Sequence, residues 1–215
     1  MKILNLYAGI GGNRKLWGTD HDITAIENNP EIAKIYSDFF PNDKMIVTDA
    51  HQYLLEHFKE YDFIWSSPPC PTHSRLKLLC INTGQNKLEY PDMRLYQEII
   101  ILQIFFKGKY VVENVIGYYE PLIIPKKVGR HYFWANFKIP FIKIPHPSLK
   151  TNDKSTIANW KKHTGLDIKN WHGYNKPHKE QLFKNCVDSG IGLHILNRAL
   201  EIKEADKYGQ AKIFE

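Results

Sequence analysis

The sequence has few cysteines and no long apolar run. Its 215 residues include only Cys70, Cys80 and Cys186, and an odd number without regular spacing argues for reduced thiols in the cytoplasm. No stretch approaches the roughly 18 consecutive apolar residues of a membrane-spanning helix, so no membrane contact is expected. The first residues lack the small-residue cleavage pattern of a signal peptide, and we interpret them as a first core strand.

Metal and dinucleotide signatures are also missing. No Cys-x-x-Cys or paired Cys/His spacing occurs, so no metal ion is predicted despite ten histidines. The glycine-rich stretch at residues 7–12, YAGIGG, lacks the GxGxxG spacing of a dinucleotide site. It remains either a tight structural turn or a place where the backbone approaches a ligand closely.

The positive charge is concentrated in one segment. Residues 126–185 contain 13 Lys and Arg against three Asp and Glu, a balance of +10, whereas the whole chain carries +6 and the remainder therefore −4. A basic segment beside a mildly acidic body is typical of a protein that binds a polyanion. A solvated lysine-rich surface would give the same composition.

Short apolar segments alternate with segments of helical spacing up to about residue 125. The predicted strands cover residues 2–8, 22–27, 44–49, 61–67 and 109–115. The main predicted helices cover residues 30–40, 50–60 and 91–108, and a further helix is expected after the glycine turn, through Leu16 and Trp17. This alternation predicts an α/β fold with a parallel sheet, and such sheets bind ligands at the carboxyl ends of their strands.

Polar or special residues lie at or just past five predicted strand ends: Gly9, Glu27, Asp49, Cys70 and Glu113. Glu27 follows the glycine turn at the distance where a carboxylate accepts hydrogen bonds from ribose hydroxyls. Asp49 could accept from an adenine amino group, although either acid could instead cap the following helix. Together these residues predict a cofactor that contains adenosine.

Cys70 lies in an unusually stiff segment, WSSPPCPTHSR, at residues 65–75. Two prolines before it and one after it restrict the backbone. A thiolate held at one angle is a candidate nucleophile, and the alternative is a buried packing thiol. Glu113, in the ENV stretch at the end of the next strand, is suited to exchange a proton with a bound ring.

The order of these motifs resembles that of the DNA cytosine-5 methyltransferases. The matches continue with DMRL at residues 92–95, the strand expected in IPKKVGRHYFW at 124–134, and KNCV at 184–187, which precedes an amphipathic helix. The resemblance implies a Rossmann-like S-adenosylmethionine-dependent methyltransferase fold with a small basic target-recognition lobe. The implied divisions are a catalytic domain at 1–135, the lobe at 136–184 and a returning segment at 185–215.

The resemblance also implies a reaction. A methyl group would pass from S-adenosylmethionine to carbon 5 of a cytosine flipped out of double-stranded DNA, through a covalent bond between Cys70 and carbon 6. Glu113 would activate ring nitrogen 3, Asn114 would support Glu113, and Arg130 would hold the base or the Cys70 loop. The implied cofactor contacts are Tyr7, Ala8, Gly9, Gly11, Gly12, Glu27, Asn28, Asp49, Ala50, Pro69, Asn185 and Val187.

Nucleic-acid contacts are expected in two places. Residues 71–90 would form a mobile loop over the base, and its His73, Ser74, Arg75 and Lys77 would meet phosphates. In the lobe, lysines would supply sequence-independent affinity and an aromatic ring would stack on a base, unless the aromatics form the small core of the lobe. The candidates in the lobe are Trp160, Lys161, Lys162 and Trp171.

Five positions depart from the family pattern. Gln is replaced by Pro71 and by Lys126, Arg by Val128, Gly by Lys184, and an aromatic residue by Asn28. The short lobe predicts a short or degenerate recognition sequence, or help from a second protomer in a homodimer. The expected partner besides DNA is a cognate restriction nuclease. The expected location is the cytoplasm of a bacterial or phage-infected cell. Two alternatives stay open: the same chemistry on structured RNA, and a non-catalytic methyltransferase-like protein that binds nucleic acid.

Overall fold

One mixed sheet organises the chain. In the computed structural model, which describes residues 1–84, 87, 89–142, 157–175 and 179–201, seven strands are arranged in the order β3-β2-β1-β4-β5-β7-β6. The strands are β1 (Lys2–Leu6), β2 (Asp22–Glu27), β3 (Lys44–Val47), β4 (Phe63–Ser66), β5 (Lys109–Val115), β6 (Lys126–Val128) and β7 (His131–Ala135). The first five strands pair in parallel, and β7 runs antiparallel to both β5 and β6.

Helices connect the strands and cover the sheet. The α-helices are α1 (Pro30–Phe39), α2 (Ala50–His57), α3 (Arg75–Asn82), α4 (Arg94–Phe105), α5 (Ile157–Thr164), α6 (Glu180–Lys184) and α7 (Ser189–Ala199), and 3₁₀ turns occupy Arg14–Leu16 and Phe58–Glu60. The N-terminus of α1 shows why these boundaries arise. Pro30 takes the first helical position, and the side chain of Asn29 accepts from two free backbone N–H groups.

The central strands are apolar because both faces of the sheet are covered. Successive side chains point to opposite faces, so Phe63 joins the cluster that contains α7, whereas Ile64 joins the cluster that contains α2 and α4. Val111 and Val112 divide in the same way. Both faces are therefore dry, as expected of the central strands in a parallel sheet.

The buried carboxylate of Glu98 ties three other elements to α4. It is 0% exposed. It accepts hydrogen bonds from Tyr7 Oη at 2.6 Å, from Ser66 Oγ at 2.6 Å and from His51 Nδ1 at 2.9 Å. These partners stand at the end of β1, at the end of β4 and at the start of α2. A buried charge with three donors is stabilised, and the same charge with fewer donors would be costly.

The lobe packs directly on the catalytic domain. Trp160, Leu166 and Phe183 form one cluster with Ile10 and Ile35 of the catalytic domain. Two polar contacts cross the same boundary: His172 Nε2 lies 2.6 Å from Asp38 Oδ2, and Lys15 Nζ donates to the carbonyl of Thr164 at 3.0 Å.

This packing favours the second role that the sequence allowed for Trp160, a place in the core of the lobe. The residue is only 8% exposed and belongs to the shared core, and its stacking on a base stays a prediction. A lobe this short needs its aromatic side chains for its own stability.

Three local expectations were wrong. Residues 124–134 form a hairpin rather than one strand, because Gly129, with φ of 58°, reverses the chain between β6 and β7. The expected loop at 71–90 contains the helix α3, and the helix expected after the glycine turn is only the 3₁₀ turn at Arg14–Leu16.

Among the described residues, no helix is long and apolar enough to cross a membrane.

The Glu98 network predicts a pH-dependent stability. The hydrogen bond to Glu98 raises the pKa of His51 above its usual value, so its stabilisation is complete below about pH 6.5 and disappears as pH rises through the higher, folded-state pKa. His51→Asn should therefore lower the free energy of unfolding most at acidic pH. At alkaline pH the loss should shrink to roughly 1 kcal/mol for the remaining hydrogen bond.

Urea unfolding of both proteins between pH 5.5 and 9 measures this difference. Glu98→Gln provides the matched background, because without the carboxylate charge the effect of His51→Asn should no longer depend on pH. If, in the chain that keeps Glu98, the loss of unfolding free energy caused by His51→Asn stayed constant with pH, the ion pair between His51 and Glu98 would be contradicted.

Candidate active site

A cleft lies at the carboxyl ends of β1, β2 and β4. It encloses about 630 Å³ of open space. Six of the predicted cofactor residues line it: Tyr7, Glu27, Asn28, Asp49, Ala50 and Pro69. Its other lining residues are Pro68, His73, Asp92, Arg94 and Leu95. The parallel sheet thus brings together strand ends that are far apart in the sequence.

Glu27 is held at the end of β2 by backbone donors. Its Oε2 accepts from the N–H of Gly9 and its Oε1 from the N–H of Asn29, each at 3.0 Å. Burial raises the pKa of this carboxyl even though these N–H groups favour its charged form. A carboxylate has room for about four hydrogen bonds, so capacity remains for a hydroxyl group of a ligand.

Asp49 caps a helix and also faces the cleft. Its Oδ1 accepts from Gln52 N at 2.8 Å and caps α2, while the residue also lines the cleft. Its Oδ2 lies 4.0 Å from Arg94 Nη1, and Arg94 is paired with Asp92 at 2.6 Å. The hydrogen bond from Arg94 lowers the pKa of Asp92.

The glycines of the YAGIGG turn serve different purposes. Gly9 has φ of 55° and open space around it, so its backbone can approach a ligand. A side chain on Gly11 would instead meet the rings of Phe40 and Tyr36, and one on Gly12 would meet Cys186 at 2.6 Å. Gly11 and Gly12 are therefore required by packing, which spacing alone did not reveal.

The Cys70 loop is anchored on both sides of the thiol. Before it, Asn114 Nδ2 donates to the carbonyl of Pro68 at 3.0 Å, so Asn114 holds the proline segment where we expected it to support Glu113. After it, the N–H groups of His73 and Ser74 both donate to the carbonyl of Cys70, at 3.0 and 3.1 Å. The thiol is thus positioned by β5 and by a tight turn as well as by the prolines.

Cys70 and Glu113 come close enough for their charges to interact. Burial, and next the negative charge of Glu113, raise the pKa of the Cys70 thiol. Glu113 is itself buried within β5, and its Oε1 lies 3.7 Å from His131 Nε2. The resting thiol is therefore protonated at neutral pH, and it needs a change in its surroundings, or a proton acceptor, to become a nucleophile.

A second cleft lies beside this pair and encloses about 1000 Å³ of open space. The hairpin turn and the start of β7 form one wall, α5 another, and the segment joining α6 to α7 a third. Arg130 and His131 line it, and His131 links it to Glu113. Gly12 and Val187, which we expected in the cofactor site, line this second cleft. The side chain of Asn185, just after α6, accepts a hydrogen bond from Gln181 of that helix.

The predicted phosphate contacts are engaged within the chain. Ser74 caps α3 by accepting from Lys77 N, Arg75 Nε donates to the carbonyl of Gly117 at 3.1 Å, and Lys77 Nζ lies 2.8 Å from Glu89. In the lobe, Lys161 pairs with Asp167 at 2.6 Å. Lys162 is exposed.

Trp171 is half-buried and contacts other residues of the lobe. Its ring packs against Tyr174 and Phe183, and Lys179 Nζ lies 4.6 Å from the ring centre. Its proposed stacking on a base would require a rearrangement of these contacts.

Several cleft residues were missed by sequence reasoning. His73 belongs to the WSSPPCPTHSR stretch, and Asp92, Arg94 and Leu95 belong to the DMRL stretch. The sequence did not assign any of these four residues to the cofactor. Glu98 had the only available signal, a charge within the apolar helix QEIIILQIFF. A charge in such a helix must have buried partners, although the sequence does not identify them.

The cleft suits an adenosine-containing cofactor. Two carboxylates at strand ends offer acceptors, and one ring nitrogen of His73 is buried without a partner among the described residues. Among the same residues, no cluster of three or more His, Cys, Asp or Glu could hold a metal ion. Sheet order and cleft define a Rossmann-like methyltransferase, and the cofactor of this class is S-adenosylmethionine.

The chain matches the family of C-5 cytosine-specific DNA methylases over residues 1–119. This match covers more than half of the sequence, and the chain belongs to that family. No curated protein matches it.

Solved structures give weaker likenesses. A mutant of Spodoptera frugiperda DNMT2 is 30% identical over 53% of this chain and 35% of its own, with a TM-score of 0.38. A putative DNA modification methyltransferase from an Escherichia coli prophage is 17% identical over 56% of this chain and 33% of its own, with a TM-score of 0.38. The methyltransferase EhMeth of Entamoeba histolytica is 15% identical over 54% of this chain and 38% of its own, with a TM-score of 0.34. The match thus spans little more than a third of each of these proteins, and the family assignment rests on residues 1–119.

The raised pKa of Cys70 predicts slow alkylation at neutral pH. A higher pKa means less thiolate, so the rate with iodoacetamide should keep rising with pH beyond the range of an ordinary thiol. Glu113→Gln removes one of the two causes, so Cys70 should then react several-fold faster at pH 7.5. Burial, the larger cause, should still keep the reaction slower than that of a free thiol.

Peptide mass spectrometry measures the reaction at each thiol separately. Cys186 is an internal control, because burial raises its pKa to about 12 and the substitution lies elsewhere. Equal rates for Cys70 in the two proteins would show that Glu113 does not act on the thiol.

Proposed function

We propose that this chain transfers a methyl group from S-adenosylmethionine to carbon 5 of cytosine in DNA. The single observation that carries this proposal is the pairing of Cys70 with Glu113 beside the cofactor cleft, in a chain of the C-5 cytosine-specific DNA methylase family. The family supports methylation of cytosine. The choice of DNA, the covalent step and base flipping belong to the proposal.

Carbon 5 of cytosine is a poor nucleophile, and the two side chains would correct this. The Cys70 thiol gives its proton to the Glu113 carboxylate, which passes it to nitrogen 3 of the ring. The resulting thiolate adds to carbon 6, so that an electron pair becomes available at carbon 5. S-adenosylmethionine supplies an electrophilic methyl group when bound. Loss of the carbon 5 proton to solvent then expels the Cys70 thiolate, and the proton on nitrogen 3 returns to Glu113.

The protein environment supports the order of these events. The neighbouring carboxylate charge keeps the Cys70 thiol protonated in the resting protein. Once Glu113 holds a proton that it shares with nitrogen 3 of a bound ring, its negative charge no longer opposes thiolate formation. Substrate binding and activation of the nucleophile are coupled in this way.

The second cleft supports the assignment of a nucleic-acid face. It adjoins Glu113 through His131, and Arg130 and Lys184 bring positive charge to its rim. We propose that the flipped base enters from this side while the cofactor occupies the first cleft. The surrounding basic segment then provides salt-dependent affinity for phosphates.

The decisive experiment expresses the chain in cells that lack cytosine methylation and measures modified nucleosides by mass spectrometry. 5-Methyldeoxycytidine should appear with the unaltered chain. Cys70→Ala should reduce it to below roughly one thousandth, because the nucleophile is lost. Cys80→Ala is the matched control and should leave the yield unchanged.

Cofactor binding separates a chemical role from a structural one. Purified Cys70→Ala protein should bind S-adenosylhomocysteine with nearly unaltered affinity by calorimetry, and loss of binding would mean that the thiol only supports the fold. 5-Methylcytidine in RNA, with none in DNA, would transfer the proposal to an RNA substrate. Absence of both, with cofactor still bound, would favour the non-catalytic alternative.

A further inference from the structure

His73 has one ring nitrogen that no protein atom satisfies. The residue is 2% exposed and lines the cofactor cleft. Its Nδ1 lies 2.6 Å from the hydroxyl of Tyr119, whereas Nε2 is buried and has no hydrogen-bond partner among the described residues. A buried polar atom without a partner costs free energy comparable to a lost hydrogen bond. An acceptor or donor brought by a ligand would remove that cost.

The hydroxyl of Tyr119 decides which nitrogen of a neutral His73 ring carries the hydrogen. If Tyr119 donates its one hydrogen to Nδ1, the ring hydrogen lies on Nε2, which then donates. If Nδ1 instead donates to Tyr119, Nε2 can only accept. The two arrangements make opposite predictions for the pH dependence of cofactor binding.

We propose that His73 donates a hydrogen bond from Nε2 to an acceptor in the adenosine part of S-adenosylmethionine, and that Tyr119 holds the ring in the required tautomer by donating to Nδ1. This inference rests on the proposed function, whose cofactor it positions. Glu27 and Asp49 contribute only acceptors to the cleft, so they suit the hydroxyl and amino groups of adenosine. His73 contributes the complementary donor for a ring nitrogen or ribose oxygen.

The surroundings of His73 agree with a neutral ring. Burial lowers its pKa, against a smaller opposite effect of Asp92. The charged groups that share the cleft are Glu27 and Asp49 on one wall and the paired Asp92 and Arg94 on the other. The backbone of His73 is fixed independently, because its N–H donates to Cys70 and its carbonyl accepts from Tyr118 N.

Calorimetry with S-adenosylhomocysteine on the full chain tests the proposal. His73→Phe keeps a planar ring but removes the donor, and it should raise Kd about tenfold, the usual effect of one lost buried hydrogen bond. His73→Gln can place an amide N–H near the position of Nε2 and should recover most of the affinity. His57→Phe makes the same exchange on the exposed end of α2, outside the cleft, and should leave Kd unchanged.

The pH dependence tests the direction of the hydrogen bond. A neutral ring with its hydrogen on Nε2 and a protonated ring both present a donor there. The ratio of Kd for His73→Phe to that for the unaltered chain should therefore not fall between pH 8 and 5.5. Taking the ratio cancels the titration of Glu27, Asp49 and Asp92. A ratio that falls towards one on acidification would show that Nε2 accepts, and would overturn the proposal.

Two results distinguish this proposal from the proposed function. An unchanged Kd in His73→Phe, or no recovery in a folded His73→Gln, would overturn the role of His73 and leave the cytosine chemistry standing. Weaker cofactor binding in His73→Phe, in a chain that yields no methylated cytosine, would support the role of His73 and reject the reaction.

Discussion

The carboxylate of Glu98 is the contact on which the geometry of the cofactor cleft depends. It lies in the apolar interior with no exposure and holds Tyr7, His51 and Ser66 from three separate elements. Its hydrogen bond and charge, after burial itself, raise the pKa of Tyr7, which keeps that hydroxyl a donor. Tyr7 also has φ of 56°, a conformation that a non-glycine residue adopts only when its surroundings enforce it.

Cys70 and Glu113 are positioned by a different set of contacts at the next strand ends. Asn114 of β5 holds the proline segment before Cys70, and the turn after the thiol is held through His73 to the segment that follows β5. The loop that carries Cys70 is therefore tied to the end of β5 on both sides of the thiol. Since Glu113 belongs to that same strand, the sheet helps to set the distance between thiol and carboxyl.

Much of this arrangement could be predicted because strand periodicity and strand ends leave local signals. The alternation of apolar segments located β1 to β5, and the order of YAGIGG, Glu27, Asp49, PPC and ENV indicated a cleft at one sheet edge. The partners of His73 and Glu98 could not be predicted, because Tyr119 and Tyr7 reach them across 46 and 91 positions of the chain. The packing role of Gly12 was hidden for the same reason, since its neighbour Cys186 belongs to the returning segment.

The sequence by itself determined the family and singled out Cys70 and the acids as candidate site residues, because these depend on residue types in a linear order. Only the tertiary structure decided how these residues are used. It placed Trp160 in a core shared with α1 and divided the expected cofactor residues between two clefts. It also brought Glu113 close enough to Cys70 for its charge to raise the pKa of the thiol. The physical reason is that burial and charge interaction depend on distance in space, and packing of the sheet faces sets those distances.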